Sequence, residues 1–350
     1  MQLPLKIDDV TPRWLSQALS IRTPGTQVAE IENMDVILGT TAKLLLTLKY
    51  KNKPNAGSPP RHLCLKAGFD DSLRELVGDA YIAEANFFDQ IAPMLDAPML
   101  RCWFANAQPE RQQGVVIFDN LIQQGASFGN PMEPMSVDLA AKALEVQARW
   151  HAQTWGATKK QFPCLHQGSW IRVPATQLFG EDNWRRAYSV ASIAKMVPEK
   201  FQSRERIVSA YKKMWQIDDA EGIPCLSHSD PHLGNTYVDA TGQPGFMDWQ
   251  SGSLAPAMDD VSYFLVGALT VDDRRANERN LFKHYLDVLQ SSLGAALNEN
   301  AMWMDYIRHC MHGFVWTVVP HDMQPLNCAE AMTARYITAL EDHETLKYLR

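Results

Sequence analysis

The chain has 350 residues, 46% of them hydrophobic and 21% charged, enough for a large core spread over two domains or two lobes. Its net charge of −7 comes with no long basic run, which argues against a nucleic-acid partner, whose phosphates need clustered Lys and Arg. A nucleotide stays open, because one phosphate tail needs only a few cations, a metal and backbone N–H groups. The six cysteines are scattered without a C-x-x-C pair, so neither a zinc ribbon nor a secreted disulfide framework is expected. The segment "MQLPLKIDDVTPRW" carries charges where a signal peptide needs an apolar run. No segment approaches the roughly 20 apolar residues of a membrane span. A cytoplasmic protein with free thiols and no membrane partner is the expectation.

Along the chain, Thr11 and Pro12 open a helix with Trp14, Leu15, Ala18 and Leu19 on one face. "IENMDVILGTTAKLLLTLKY" alternates as two strands around Gly39–Thr40–Thr41, and residues 51–60 read as a loop. "RHLCLKAGF" is a third strand, with Leu63, Leu65 and Ala67 on one side and Cys64 and Lys66 on the other. "DAYIAEANFFDQIAPML" reads as a helix with Ile82, Ala85, Phe88 and Ile91 on its apolar face. Two more strands follow in "MLRCWFANA" and "GVVIFDNL", the second nearly all apolar and therefore central. Residues 136–156 form a long amphipathic helix between a capping Ser136 and Gly156, and 183–219 hold two helical patterns. "NTYVDATGQPGFMDWQ" is a β-hairpin turning at Asp239–Gly242. Helices are expected over 259–270, 274–296, 300–318 and 327–348. Strands first and helices later predict an α+β chain of two lobes. The β-rich lobe with one helix spans residues 1–119, and the mostly helical lobe spans 120–350.

The chemistry concentrates in "HSDPHLGN", residues 228–235. His228, Asp230 and His232 alternate like transition-metal ligands. Such a site needs at least three converging ligands, and Pro231 and Gly234 make this stretch a turn instead of a strand face. No H-E-x-x-H accompanies it. The other reading joins Asp230 and Asn235 to Asp248 at the far end of the hairpin. A hairpin returns the chain to its start, so Asn235 and Asp248 are expected side by side. Magnesium prefers such hard oxygen ligands, and a further carboxylate can take a proton from a substrate hydroxyl.

"LSHSDPHLGNTYVDATGQPGFMDWQ" resembles the H-x-D-x4-N loop and following I-D-[WF] strand of the aminoglycoside-phosphotransferase and choline-kinase superfamily, with Gln250 nearest to its ecdysteroid-kinase-like branch. "PAMDDVSYFL", "ALEVQARWHAQTW", "AEANFFDQIAPML", "VVIFDNL" and "LCLKAGF" resemble other segments of that superfamily in the right order. The resemblance implies a two-lobed protein-kinase-like fold and an ATP- and magnesium-dependent phosphotransferase acting on a hydroxyl of a metabolite or antibiotic-like acceptor. It implies Asp230 as catalytic base, with Asn235 and Asp248 as magnesium ligands. Lys66 would contact the α/β phosphates and pair with Glu84, while Gly39, Thr40 and Thr41 would cover the phosphates. Asp119, Asn120 and Leu121 would receive adenine as a hinge, Asp260 would brace the loop, and His228 would be a buried strut. The sequence departs from the pattern at Ser229, where Gly is common, at the single glycine of "LGTTAK", and at Asp119–Asn120, where Glu–Asp is usual. None of these removes a catalytic group.

Blander roles are expected elsewhere. His232 reads as a solvated loop residue, with a substrate contact as the second reading; His151 reads as a core histidine; and Trp303, Tyr306, His309, His312 and Trp316 read as core packing at helical spacing, with lining a substrate pocket as the alternative. A nucleotide-binding pseudokinase without turnover is the alternative function; its mark would be loss of Asp230, Asn235, Asp248 or Lys66, and all four are present. A peptide acceptor is disfavoured because "DWQSGSLAPAMDD" is too short for a docking platform. The acceptor stays open among aminoglycosides, choline-like amines and sterol- or macrolide-like alcohols, and the sequence implies no oligomeric state. Acidic and basic residues, Asp322 among the former, are mixed over 272–350, so a polycation is not demanded.

Overall fold

The computed structural model describes residues 1–51, 57–321 and 323–350. Residues 52–56 of the expected 51–60 loop, and Asp322, lie outside the described residues. The chain divides into two units. The first holds Met1–Ser127 and Tyr237–Gly252, and the second Phe128–Thr236 and Ser253–Arg350. The hairpin after "HSDPHLGN" thus belongs mostly to the first unit, although the sequence around it belongs to the second.

In the first unit, Thr11 caps α1 (Pro12–Arg22) by accepting the Trp14 N–H. Strands β1 (Val28–Ile37), β2 (Ala42–Tyr50) and β3 (His62–Ala67) follow, then α2 (Asp71–Asn86), β4 (Cys102–Gln108) and β5 (Gln113–Asp119). The sheet is antiparallel, with order β1-β2-β3-β5-β4, so apolar β5 is interior. Its period of two sorts the faces. Leu44, Leu46, Leu63, Leu65, Val115 and Ile117 join the α1 residues Trp14, Leu15, Ala18 and Leu19 in one core. Lys66, paired in register with Lys43 and Val116, takes the opposite face. Phe88, just past α2, meets Phe118 of that face with ring centroids 4.6 Å apart. Helix α2 starts at Asp71, capped by Asp70, earlier than its periodicity predicts, and Val77 leaves helical geometry within it. Gly78 lies at that break, where a side chain would strike Gln112. Of the expected apolar face, Ala85, Phe88 and Ile91 are buried and Ile82 is half-buried, while Tyr81 and Glu84 are buried as well.

In the second unit, the two-residue strand β6 (Ser127–Phe128) leads to α3 (Val137–Gln153), capped by Ser136, and β7 (His166–Gln167). After α4 (Ala175–Leu178), the two helical patterns expected over 183–219 resolve into four pieces: α5 (Glu181–Tyr188), α6 (Ala191–Met196), α7 (Glu199–Gln202) and α8 (Arg204–Glu221). Strand β8 (Pro224–Ser227) precedes the HSDPHLGN loop; the hairpin strands β9 (Thr236–Val238) and β10 (Pro244–Phe246) fall in the first unit, Thr236 excepted. A strand that periodicity did not reveal, β11 (Ser253–Pro256), runs antiparallel to β8 and pairs Ser253 with Ser227. Helices α9 (Met258–Ala268), α10 (Val271–Leu293), α11 (Glu299–His309) and α12 (Leu326–Asp342) complete the unit; a 3-10 segment over Cys310–Thr317 replaces the second half of the helix expected at 300–318. No helix among the described residues is long and apolar enough to cross a membrane. All six cysteines are free.

Candidate active site

Three residues far apart in sequence meet in the first unit. Lys66 Nζ lies 2.8 Å from Glu84 Oε2 and 2.9 Å from Asp248 Oδ1. The lysine and glutamate side chains are only 6% and 5% exposed. Burial alone would depress the ammonium, but Asp248 and Glu84 outweigh it and hold its pKa above the usual lysine range. Burial pushes the Glu84 carboxyl upward, with Lys66 pulling back. Each side chain has a local reason for its place. Lys66 faces α2 through strand alternation, and Glu84 sits on the buried stripe of α2. Asp248 adopts a left-handed backbone (φ 68°), which turns the chain out of the hairpin into the 3-10 turn Trp249–Ser251. Trp249 then stacks on Phe87, centroids 4.1 Å apart and planes within 5°. Phe87 follows Glu84 by three residues, so this stack docks the Asp248 turn beside Glu84. The sequence places Trp249 at the aromatic position of the resembling I-D-[WF] strand but gives no sign of its stacking on Phe87.

The other predicted nucleotide contacts also lie in this unit. Gly39–Thr40–Thr41 is the β1–β2 connection, and the Tyr81 hydroxyl donates to the Thr40 carbonyl, tying it to α2. Nothing local demands glycine at 39: an added Cβ would lie an ordinary 3.5 Å from the Thr41 carbonyl. At the hinge, Asp119 Oδ1 accepts from Trp103 Nε1 at 2.6 Å. The Asn120 N–H donates to the His62 carbonyl (3.2 Å), and its Oδ1 accepts from the Ile122 N–H at 3.1 Å. Adenine recognition there would have to use backbone groups other than the Asn120 N–H.

In the second unit the HSDPHLGN loop is held by one buried carboxylate. Asp260 of α9 accepts the Ser229 N–H and Ser227 hydroxyl at Oδ1, and the His228 N–H at Oδ2, each at 2.8 Å. Its Oδ2 also lies 3.2 Å from His151 Nε2, and His151 Nδ1 lies 2.8 Å from the Tyr285 hydroxyl. His151 is therefore a core histidine with both nitrogens engaged. His228 is fully buried, and its Nδ1 accepts the Asp230 N–H at 3.3 Å. Ser229 occupies left-handed backbone (φ 64°), a conformation that glycine adopts without strain. Its hydroxyl bonds Ser253 Oγ (2.7 Å) and Ser227 Oγ (3.0 Å), interactions glycine lacks.

Asn235 Nδ2 donates to the Asp230 carbonyl (2.9 Å) and to Asp230 Oδ2 (3.2 Å). Both are acceptors, so the amide nitrogen must face them and the amide oxygen faces away. Asn235 Oδ1 in the second unit and the Asp248 carboxylate in the first are each a hard oxygen donor of the kind magnesium takes. His232 corrects an expectation: it is 9% exposed, and its ring meets Trp316 edge to face at 5.5 Å. Among the described residues, no three or more His, Cys, Asp and Glu side chains are grouped to hold a metal ion. Of the Trp303–Trp316 stripe, Tyr306, His309, His312 and Trp316 are buried.

Comparisons with known proteins follow this geometry. The profile of the ecdysteroid kinase-like family matches residues 40–297. No curated protein sequence matches. Among solved structures, the chain is similar to a spectinomycin phosphotransferase in an AMP-bound complex, at 12% identity and a TM-score of 0.50, covering 95% of this chain and 98% of that one. A type I macrolide 2'-phosphotransferase (16% identity, TM-score 0.48) and a choline kinase from Streptococcus pneumoniae (13%, 0.48) match over the same shares. The spectinomycin phosphotransferase likeness bears on the fold alone, which is protein-kinase-like and α+β, with an antiparallel sheet in one lobe and helices in the other. The chain belongs to the ecdysteroid kinase-like family.

Proposed function

We propose that this protein is an ATP-dependent small-molecule kinase that transfers the γ-phosphoryl group to a hydroxyl of its acceptor. The observation that carries the reading is the Lys66–Glu84–Asp248 cluster. Burying one cation between two carboxylates is a poor route to stability, because desolvation offsets the Coulombic gain. A fixed positive charge is what a triphosphate requires. In this reading the first unit binds nucleotide, with Lys66 on the phosphates, Glu84 orienting Lys66, Gly39–Thr41 over the phosphates and Asp119–Leu121 at adenine. The second unit supplies Asp230, which orients the acceptor hydroxyl and takes its proton. Asn235 and Asp248 are the protein ligands for magnesium, which when bound neutralises charge on the phosphates. The chain's own contribution is positioning and preorganised charge.

The family supports a small hydroxylated acceptor. The test is a thermal-shift screen of hydroxylated compounds with magnesium and a non-hydrolysable ATP analogue, followed by turnover assays on the binders. Asp230→Ala is expected to keep nucleotide binding and lose turnover, and Asp248→Ala to lose magnesium-dependent nucleotide binding. Turnover surviving in Asp230→Ala would refute the base assignment. Nucleotide binding without turnover on any acceptor would favour a pseudokinase.

A further inference from the structure

His232 does more in this structure than a loop residue needs to. It caps the 3-10 turn Leu233–Asn235, with Nδ1 accepting the Gly234 N–H at 3.0 Å. An amide N–H can only donate, so Nδ1 carries no proton and the ring's N–H is at Nε2. A cap alone is ordinarily met by Asn, Asp or Ser. Histidine adds a second nitrogen on the far side of the ring, and Nε2 lies 3.8 Å from Asp230 Oδ2.

The ring is held there from several sides. An added Cβ on Gly234 would come within 2.7 Å of His232 Cε1, so the close approach requires glycine. Behind the ring stands Trp316, whose Nε1 donates to the Tyr263 hydroxyl at 2.9 Å. Tyr263 stacks on His312 (centroids 4.5 Å), and His312 Nδ1 lies 2.9 Å from Asp259 Oδ1 on α9. The resulting wall is aromatic and buried, and the contacts that build it leave His232 Nε2 facing Asp230.

We propose that His232 is a second catalytic contact for the acceptor hydroxyl. At 3.8 Å, Nε2 and Asp230 Oδ2 are too far apart for a direct hydrogen bond, but one oxygen can sit about 2.8 Å from both. That oxygen donates its proton to Asp230 and accepts the Nε2–H. In the transfer step the O–H bond breaks and its proton passes to Asp230. The oxygen's electron pair forms the new O–P bond, and the bond from the γ-phosphorus to its bridging oxygen breaks, its electrons leaving with the nucleoside diphosphate. The Nε2–H stabilises the negative charge that builds on the attacking oxygen and aligns it for attack. This rests on the kinase reading of the same loop.

The experiment compares His232→Asn with His232→Gln, using magnesium-ATP hydrolysis, with water as the acceptor probe, as the assay. Asn keeps an oxygen able to cap Gly234 but has no donor at the Nε2 position; Gln keeps a donor near it. His232→Asn is expected to lower kcat about 100-fold, the scale for losing one preorganised donor, while KM for ATP and the melting temperature stay unchanged. His232→Gln is expected to recover at least about tenfold of that loss. Wild-type hydrolysis by His232→Asn overturns the proposal, and so does an equal fall in both variants accompanied by a lower melting temperature. If the wild-type protein shows no thermal shift with magnesium-ATP, the kinase reading itself fails, a result separate from either.

Discussion

Lys66 in the first unit and Asp230 in the second are held by opposite means. Lys66 is fixed by charge, between two carboxylates contributed by a helix and a hairpin end. Asp230 is fixed through its neighbours' backbone: Asp260 accepts the N–H groups of His228 and Ser229, and Asp230's own N–H is accepted by His228 Nδ1. The first arrangement pays desolvation for a cation and is tuned by what it faces. The second leaves few donors unmet and is tuned by the shape of one turn.

The largest effect expected is from Asp260→Ala, which strands two buried backbone donors and one face of His151. A loss of about 4 kcal/mol in urea denaturation is expected, with Asp260→Asn costing clearly less because an amide oxygen still accepts. Lys66→Ala, which leaves two carboxylates without their cation, should cost about 3 kcal/mol. Lys66→Met combined with Glu84→Gln should recover more than half of that loss. If the pair recovers nothing, the first cluster is not held by charge and the contrast between units breaks.

An ion pair inside the second unit sharpens the contrast. His309 Nε2 lies 3.3 Å from Asp218 Oδ1, in ion-pair contact although off hydrogen-bond geometry. Burial opposes protonation of His309, but Asp218 outweighs it and raises the pKa from 6.5 to about 9. The folded value exceeds the unfolded one, so this stabilisation is complete below pH 6.5 and disappears as pH rises through 9. Stability should therefore fall by up to about 3 kcal/mol across that window, and His309→Gln should flatten the decline. The smallest effect concerns Ser229. Ser229→Ala keeps the left-handed backbone strain and loses the hydroxyl bonds, whereas Ser229→Gly loses the bonds and relieves the strain. Ser229→Ala should be the less stable by about 1 kcal/mol, read by melting temperature.

Much of the first unit was legible in the sequence because its signals are local. Alternation in "HLCLKA" assigns Lys66 to the face opposite Leu63 and Leu65, and the structure keeps it there. Thr11 and Ser136 mark helix starts that the structure reproduces. Legibility failed where packing overrides local pattern. Residues 175–221 break into five helices because short amphipathic turns, two of them opened by Pro174 and Pro198, are stabilised by neighbours and not by their own periodicity. Helix α2 begins before its apolar pattern does, since Gly78 and the break at Val77 hide its first turns.

By itself the sequence determined the α+β order of elements, the face of β3 that carries Lys66, and the D-x4-N and Asp248 residue set. These follow from side-chain periodicity, caps and turn residues, which act over a few positions. Only the tertiary structure decided that Asp248 contacts Lys66, that Ser229 takes a left-handed turn, and that His232 is buried against Trp316 with Nε2 toward Asp230. Those depend on desolvation and on partners distant along the chain, which no local pattern encodes.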